Sequence, residues 1–270
     1  MSAASLEAGR LRRPSAWTQV AELGRRSVMR TLRQPAQIVP SLTFPLFLLA
    51  INAGGLDATT SLPGFPTDSY LTFALAVPFI QSGIFAVSNG GADLARDIET
   101  GFLDRLALTP MSGLALVAGQ LAGVLALGLI QALVYLAVGL AAGATLAAGL
   151  GGALVLLALA VTICFAFGCV GVFAAFRLGD GEAVQGLFPV LFVFLFLSSM
   201  ALPRELIEQD WFRTIATYNP VSYLLEGIRS LYIEGFDGEA LALAFGCALA
   251  IGAIFLALAV GSLRTRLVRT

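Results

Sequence analysis

Gly151-Gly-Ala-Leu-Val-Leu-Leu-Ala-Leu-Ala-Val-Thr-Ile-Cys-Phe-Ala-Phe-Gly-Cys-Val-Gly-Val-Phe-Ala-Ala-Phe176 runs without a single acidic or basic side chain. About 20 apolar residues in a helix cross the roughly 30 Å hydrocarbon core of a bilayer. Hydrocarbon offers a backbone no hydrogen bonds, so such a run folds as a helix that satisfies its own N–H and C=O groups. Working outward, five more stretches share this character: about 36–55, 69–90, 112–142, 185–203 and 240–263, none containing Asp, Glu or Arg. The fold predicted is an all-α integral membrane protein with six transmembrane helices. The third stretch exceeds the bilayer core and is expected to tilt or protrude. Pro40, Pro45 and Pro78 are expected to kink their helices, which membrane helices tolerate where neighbours satisfy the freed carbonyls.

Composition agrees. The 270 residues are 58% hydrophobic and 12% charged, with a mean hydropathy of +0.88, outside the range of soluble globular chains. All 16 basic residues are arginine; lysine and histidine are absent. No histidine triad, histidine-ligated metal or histidine proton relay is therefore available. Without lysine there is no GxxxxGK[ST] phosphate loop. Cys164, Cys169 and Cys247 lie inside apolar runs with no CxxC spacing, which fits buried filler rather than a zinc or redox site. No catalytic residue, bound cofactor, metal or nucleic-acid partner is expected, and the spans lack the nucleophile–base or paired carboxylates that an intramembrane enzyme needs.

The arginines orient the chain. Arg10, Arg12, Arg13, Arg25, Arg26, Arg30 and Arg33 precede the first span. Arg96 and Arg105 follow the second, Arg177 follows the fourth, and Arg264, Arg266 and Arg269 follow the sixth. The opposite side carries Arg204, Arg213 and Arg229 in one segment richer in acids. Both termini are thus expected in the cytoplasm of a plasma membrane. Residues 1–35 form a cytoplasmic region, 36–263 the six-helix domain and 264–270 a cytoplasmic tail. No signal peptide is apparent, since the first apolar run is long enough to span. Trp17, Val20, Leu23, Val28 and Leu32 among four arginines fit either a basic amphipathic helix at the interface or a basic tail.

Between the second and third spans lies Asp93-Leu-Ala-Arg-Asp-Ile-Glu-Thr-Gly-Phe-Leu-Asp-Arg-Leu-Ala-Leu-Thr-Pro110. Leu94, Ile98, Phe102 and Leu106 step by four, while Asp93, Arg96, Asp97, Thr100 and Asp104 gather opposite. A helix lying against the membrane and an ordinary solvated loop helix both satisfy this pattern. Gly101 marks a break between two short pieces, and Thr109-Pro110 ends the second, because the residue before proline leaves the α region. In 204–238, Asn219-Pro220 pairs an N-cap with proline at the first helical position. Val221, Leu224, Leu225, Ile228, Leu231 and Tyr232 then share a face, and Ile207, Trp211 and Ile215 form an earlier stripe. Two short amphipathic helices are expected at the outer face. Glu226 and Arg229, three apart, are spaced so that they could pair, which as an exposed couple is worth only a few tenths of a kcal/mol, too little for structure to depend on.

The run from Arg96 to Ser112 resembles the cytoplasmic loop of ABC-2 type transporter permeases, in which an acidic-Thr/Gly stretch precedes a leucine-rich turn and Thr-Pro-x-Ser. The pattern Leu202-Pro203, Trp211, Asn219-Pro220-Val-Ser-Tyr223, Glu226 and Arg229 resembles that family's second signature, between spans five and six. The resemblance implies a membrane subunit that works as two copies, or with a paralogue, each docked on a separate cytoplasmic ATPase subunit that binds ATP and Mg²⁺. It implies a basic N-terminal interfacial helix. It also implies a coupling helix in which Arg96, Glu99, Gly101, Phe102, Leu103, Asp104 and Arg105 contact the ATPase.

Charge-free spans argue separately against ion coupling, which needs ligands at depth. The amides and hydroxyls left there fit interhelical hydrogen bonds. Spans two and five are the implied path, with Phe73, Phe79, Gln81 and Phe85 from one and Phe188, Phe192, Phe194, Phe196 and Met200 from the other. These side chains either line a path for an amphiphilic drug or lipid, or face lipid and pack helices. Export of a polysaccharide or lipid-linked glycan is the second reading; the five tyrosines are few for a sugar-stacking path.

Overall fold

A computed structural model describes residues 16–101 and 113–267. Among them every regular element is helical. The order is α1 (Ala16–Leu32), α2 (Pro35–Gly55), α3 (Tyr70–Ala74), α4 (Ala76–Glu99), α5 (Gly113–Ala141), α6 (Gly149–Leu178), α7 (Gly181–Gln185), α8 (Leu187–Phe196), α9 (Asp210–Tyr218), α10 (Pro220–Ile233) and α11 (Gly238–Leu267), with single 3-10 turns at Asp57–Ser61 and Arg204–Leu206. Five helical stretches are long and apolar enough to cross a membrane: α2, α3–α4 together, α5, α6 and α11. The helix α6 has 30 residues, about 45 Å at 1.5 Å per residue, and so overshoots the bilayer core.

The predicted fifth span, 185–203, does not form one helix. Its chain starts helical at Gly181, breaks at Gly186, and stops being helical after Phe196. Taken together, α7 and α8 (Gly181–Phe196) cover about 24 Å at 1.5 Å per residue, short of the hydrocarbon core. Pro189 sits three residues after the break, in the first turn of α8, where a missing N–H costs nothing because that turn's N–H groups have no i−4 partner. The α3–α4 boundary follows the same pattern: Leu75, itself helical in φ and ψ, separates the two and Pro78 stands three residues on.

Helix α2, by contrast, runs continuously through Pro40 and Pro45. Proline at 45 cannot donate to the carbonyl of Ser41. That oxygen instead accepts from Gln131 Nε2 at 3.1 Å and Tyr135 Oη at 2.7 Å, two residues one turn apart on α5. Here the expected tolerance of membrane helices for proline has named partners.

Helix α4 is the centre of the bundle, buried along most of its length and packed by α2, α5, α6, α7, α8 and α10. It touches α6 backbone to backbone: a Cβ on Gly91 would lie 2.8 Å from the Gly171 oxygen, and one on Gly171 2.6 Å from the Val87 oxygen. Close approach through glycine is how helices gain contact area where lipid gives no hydrophobic drive. Helix α4 also continues past the predicted boundary at residue 90 to Glu99, so 93–99 belongs to it rather than to a separate surface helix. The predicted N-terminal helix exists as α1, and its small-residue face lies along α5. A Cβ on Gly119 would meet the Leu23 Cβ at 2.4 Å, and Ser27 Oγ donates to the Gln120 carbonyl at 3.2 Å.

Candidate functional site

Residues 197–203 have no helix or sheet to satisfy their backbone, yet Ser198 and Ser199 are buried. Non-helical backbone is stable at such a place only when side chains supply its partners. Helix α10 supplies most of them from one face. Asn219 caps α10, accepting from the Val221 N–H at 3.0 Å. Its Nδ2 also donates to the carbonyls of Phe194 at 2.6 Å and Leu197 at 3.0 Å, the open end of α8. Ser222 Oγ accepts from the Ser199 N–H at 3.1 Å. Arg229 donates from Nη1 to the Ser199 carbonyl at 2.6 Å, from Nη2 to Met200 at 2.7 Å, and from Nε across to Phe73 of α3 at 3.1 Å. Tyr70 Oη completes the set, donating to Ala201 at 3.0 Å.

The Glu226–Arg229 pairing that the spacing allows is thereby corrected. Arg229 is 5% exposed and spends its donors on three carbonyls, with its guanidinium carbon 3.6 Å from the centre of the Phe73 ring. Burial draws its pKa down to about 9 against the opposing pull of Glu226 and Tyr70, so it stays charged at neutral pH. Glu226 pairs with Arg204, which stacks 4.7 Å over Tyr223, and accepts from Ser199 Oγ at 3.3 Å. Tyr223 Oη donates to the Thr217 carbonyl at 3.0 Å. The signature residues Asn219, Tyr223, Glu226 and Arg229 thus converge on this junction. Trp211 does not; it is 61% exposed. Beside the junction opens a cavity of about 320 Å³ whose lining includes Phe73, Arg229, Glu205, Glu226, Glu234 and Asp237.

The predicted path residues divide. Phe85, Phe188, Phe192 and Phe196 form a row, with successive ring centres 5.1, 4.7 and 6.1 Å apart. Phe44 of α2, missed in the sequence, joins it edge-on to Phe85 at 6.3 Å and Phe192 at 6.0 Å. Phe44, Phe194 and Phe196 present exposed faces. Phe73 and Phe79 lie elsewhere: Phe73 is buried under Arg229, and Phe79 packs edge-on against Tyr135. Gln81 is buried and Met200 half-buried, neither of them in the row.

At the α1 end, α4, longer than the predicted span, stops at the break expected at Gly101. Thr100 and Gly101 donate their N–H groups back to Arg96 and Ile98, and Gly101 has φ +66°, the left-handed value glycine favours. The face expected to be solvated is partly enclosed. Asp93 is 6% exposed, with Arg30 at 3.3 Å and Arg96 at 3.9 Å. Asp97 receives Arg30 at 3.0 Å and Arg26 at 3.7 Å. Glu99 Oε1 accepts from the Gly181 N–H at 2.7 Å, tying the end of α4 to the start of α7. Phe102, Leu103, Asp104 and Arg105 lie outside the described residues.

A bundle with several helices of spanning length, glycine-packed and polar-locked at both ends, defines a multi-pass helical membrane protein. The chain belongs to the ABC-2 type transporter family, whose sequence profile matches residues 18–233. It is similar to two putative transport permeases named ycf38. The one from Porphyra purpurea is 28% identical over 79% of this chain and 74% of its own. The one from Pyropia yezoensis is 30% identical over 77% and 71%. A daunorubicin resistance ABC transporter permease protein, DrrB1, from Streptomyces coeruleorubidus is 27% identical over 76% and 72%.

Proposed function

We propose that the chain is the permease subunit of an ATP-driven exporter that moves an amphiphilic drug or lipid-like molecule outward. Two copies, or one copy and a paralogue, enclose the path, and a separate cytoplasmic ATPase subunit binds ATP and Mg²⁺. Both termini face the cytoplasm, and α7–α8 with the irregular stretch to Pro203 serves as the fifth of six spans. The arginine distribution supports that orientation.

The observation that carries the reading is the phenylalanine row. Five rings from α2, α4 and α8 touch in sequence, the two end ones, Phe44 and Phe196, with open faces. An apolar, aromatic surface takes up amphiphiles without discriminating finely among them. The resistance function in the name of the Streptomyces relative points the same way. The test is efflux and ATPase stimulation by a panel of amphiphiles, comparing wild type with Phe192→Ala and Phe196→Ala in the assembled transporter. A changed substrate profile is expected; an unchanged one removes the row from the path.

Coupling runs through Arg96, Glu99, Gly101, Phe102, Leu103, Asp104 and Arg105, on both sides of the Gly101 break. Co-purification of the ATPase with Leu103→Asp tests it. The variant is expected to release the ATPase while leaving the permease folded; equal recovery rejects the assignment.

A further inference from the structure

Helix α1 has two unlike faces. Leu23, Gly24, Ser27 and Thr31 lie against Gly119, Gly123 and Ala122 of α5. The opposite face carries a groove of about 380 Å³ lined by Glu22, Arg25, Arg26, Met29, Arg30 and Arg33. The α5 contacts leave this groove on the side of α1 away from α5, with its Arg26–Arg30 edge against α4. Arg30 and Arg26 reach the carboxylates of Asp93 and Asp97, whereas Arg25 and Arg33 have no carboxylate partner among the described residues. The groove therefore holds a surplus of positive charge with one acid, Glu22. Its setting is apolar as well as basic: Met29 and Leu32 are exposed beside the arginines, and Gln34 alone separates Arg33 from Pro35, the first residue of a spanning helix.

We propose that this groove binds the phosphate headgroup of an anionic phospholipid of the inner leaflet, with Arg25, Arg26 and Arg33 as donors and Met29 and Leu32 against the upper acyl chains. Guanidinium groups match phosphate oxygens in geometry as well as charge. Exposed apolar side chains within two turns of a span belong at the headgroup–acyl boundary, which an acidic protein partner would leave uncovered. A lipid held here would secure α1, and through Arg30 and Arg26 the charged end of α4 that leads into the coupling segment. The assignment to the inner leaflet rests on the orientation proposed above; binding of the headgroup does not.

The experiment uses the full chain purified in detergent and counts bound lipids by native mass spectrometry during titration with phosphatidylglycerol or phosphatidylcholine. Phosphatidylglycerol is expected to bind preferentially, and Arg25→Gln/Arg33→Gln to weaken it by about fivefold for each charge removed. Glu22→Gln should strengthen binding, which keeps the charge readable if the double variant fails to fold. Equal binding of the two lipids, or a preference unchanged in the variants, overturns the proposal. Displacement of the lipid by soluble glycerol 3-phosphate would make it a site for free phosphate and also overturns it. Loss of ATPase co-purification with lipid preference intact assigns the face to a protein instead. Cysteine-accessibility labelling of α1 from either side of the membrane tests the orientation separately.

Discussion

The two ends of the bundle both use arginine, and they use it differently. At the α10 end, Arg229 is buried and donates to three backbone carbonyls on two separate segments. At the α1 end, Arg30 and Arg26 stay partly exposed and pair with side-chain carboxylates. A carbonyl has nowhere to turn when its donor leaves, because it is part of the chain. An arginine that still reaches water can exchange one partner for another. The first arrangement therefore holds a shape, and the second holds a contact that can be broken and remade.

The largest effect should follow from removing Arg229. Arg229→Met strands three carbonyls at about 1–3 kcal/mol each, so a loss of ~3–9 kcal/mol is expected in unfolding of the detergent-solubilised protein. Arg229→Lys should recover little, since one ammonium cannot span Phe73, Ser199 and Met200 as a planar fork does. Near-wild-type stability of Arg229→Met would break the contrast between the ends. Asn219→Ala comes next, at ~2–3 kcal/mol, from one N-cap and two bonds to the open end of α8. Asn219→Asp keeps the cap acceptor but lacks the donor; its intermediate stability would apportion the two roles.

Between the ends, Tyr135→Phe and Gln131→Leu should each cost ~1 kcal/mol while the other still serves the Ser41 carbonyl. The double variant should cost more than the sum, and plain additivity in that cycle would show that the two donors act independently. The smallest effect is expected at the α1 end: Asp97→Asn should lose ~0.5–1 kcal/mol at low salt and less as ionic strength rises. Arg229→Met should show no such salt dependence. Similar salt profiles for the two variants would mean that the ends are alike after all.

Much of this was legible in the sequence. Charge-free runs located α2, α3–α4, α5, α6 and α11, because a helix in hydrocarbon must bond to itself and needs nothing distant to do so. Asn219-Pro220 announced the start of α10, and Gly101 the end of α4, since capping and left-handed turns are local chemistry. The fifth run misled. Hydropathy counts apolar side chains and does not register where carbonyls go, so 185–203 read as one helix. Pro189 was the available signal, three residues beyond Gly186 as Pro78 is beyond Leu75. The partners that let residues 197–203 unwind were not readable: Tyr70 is 131 residues from Ala201, and Arg229 is 156 from Phe73.

The sequence by itself determined that the chain lives in a membrane, where most helices begin and end, and which segments carry charge. Those properties depend on neighbours within a turn or two and on the solvent around them. Only the tertiary structure decided that Arg229 is a buried donor rather than half of a surface pair, that Asp93 is enclosed by α1, and that phenylalanines from α2, α4 and α8 form one row. Each of these rests on which distant side chains the fold brings into contact, and that is settled by packing.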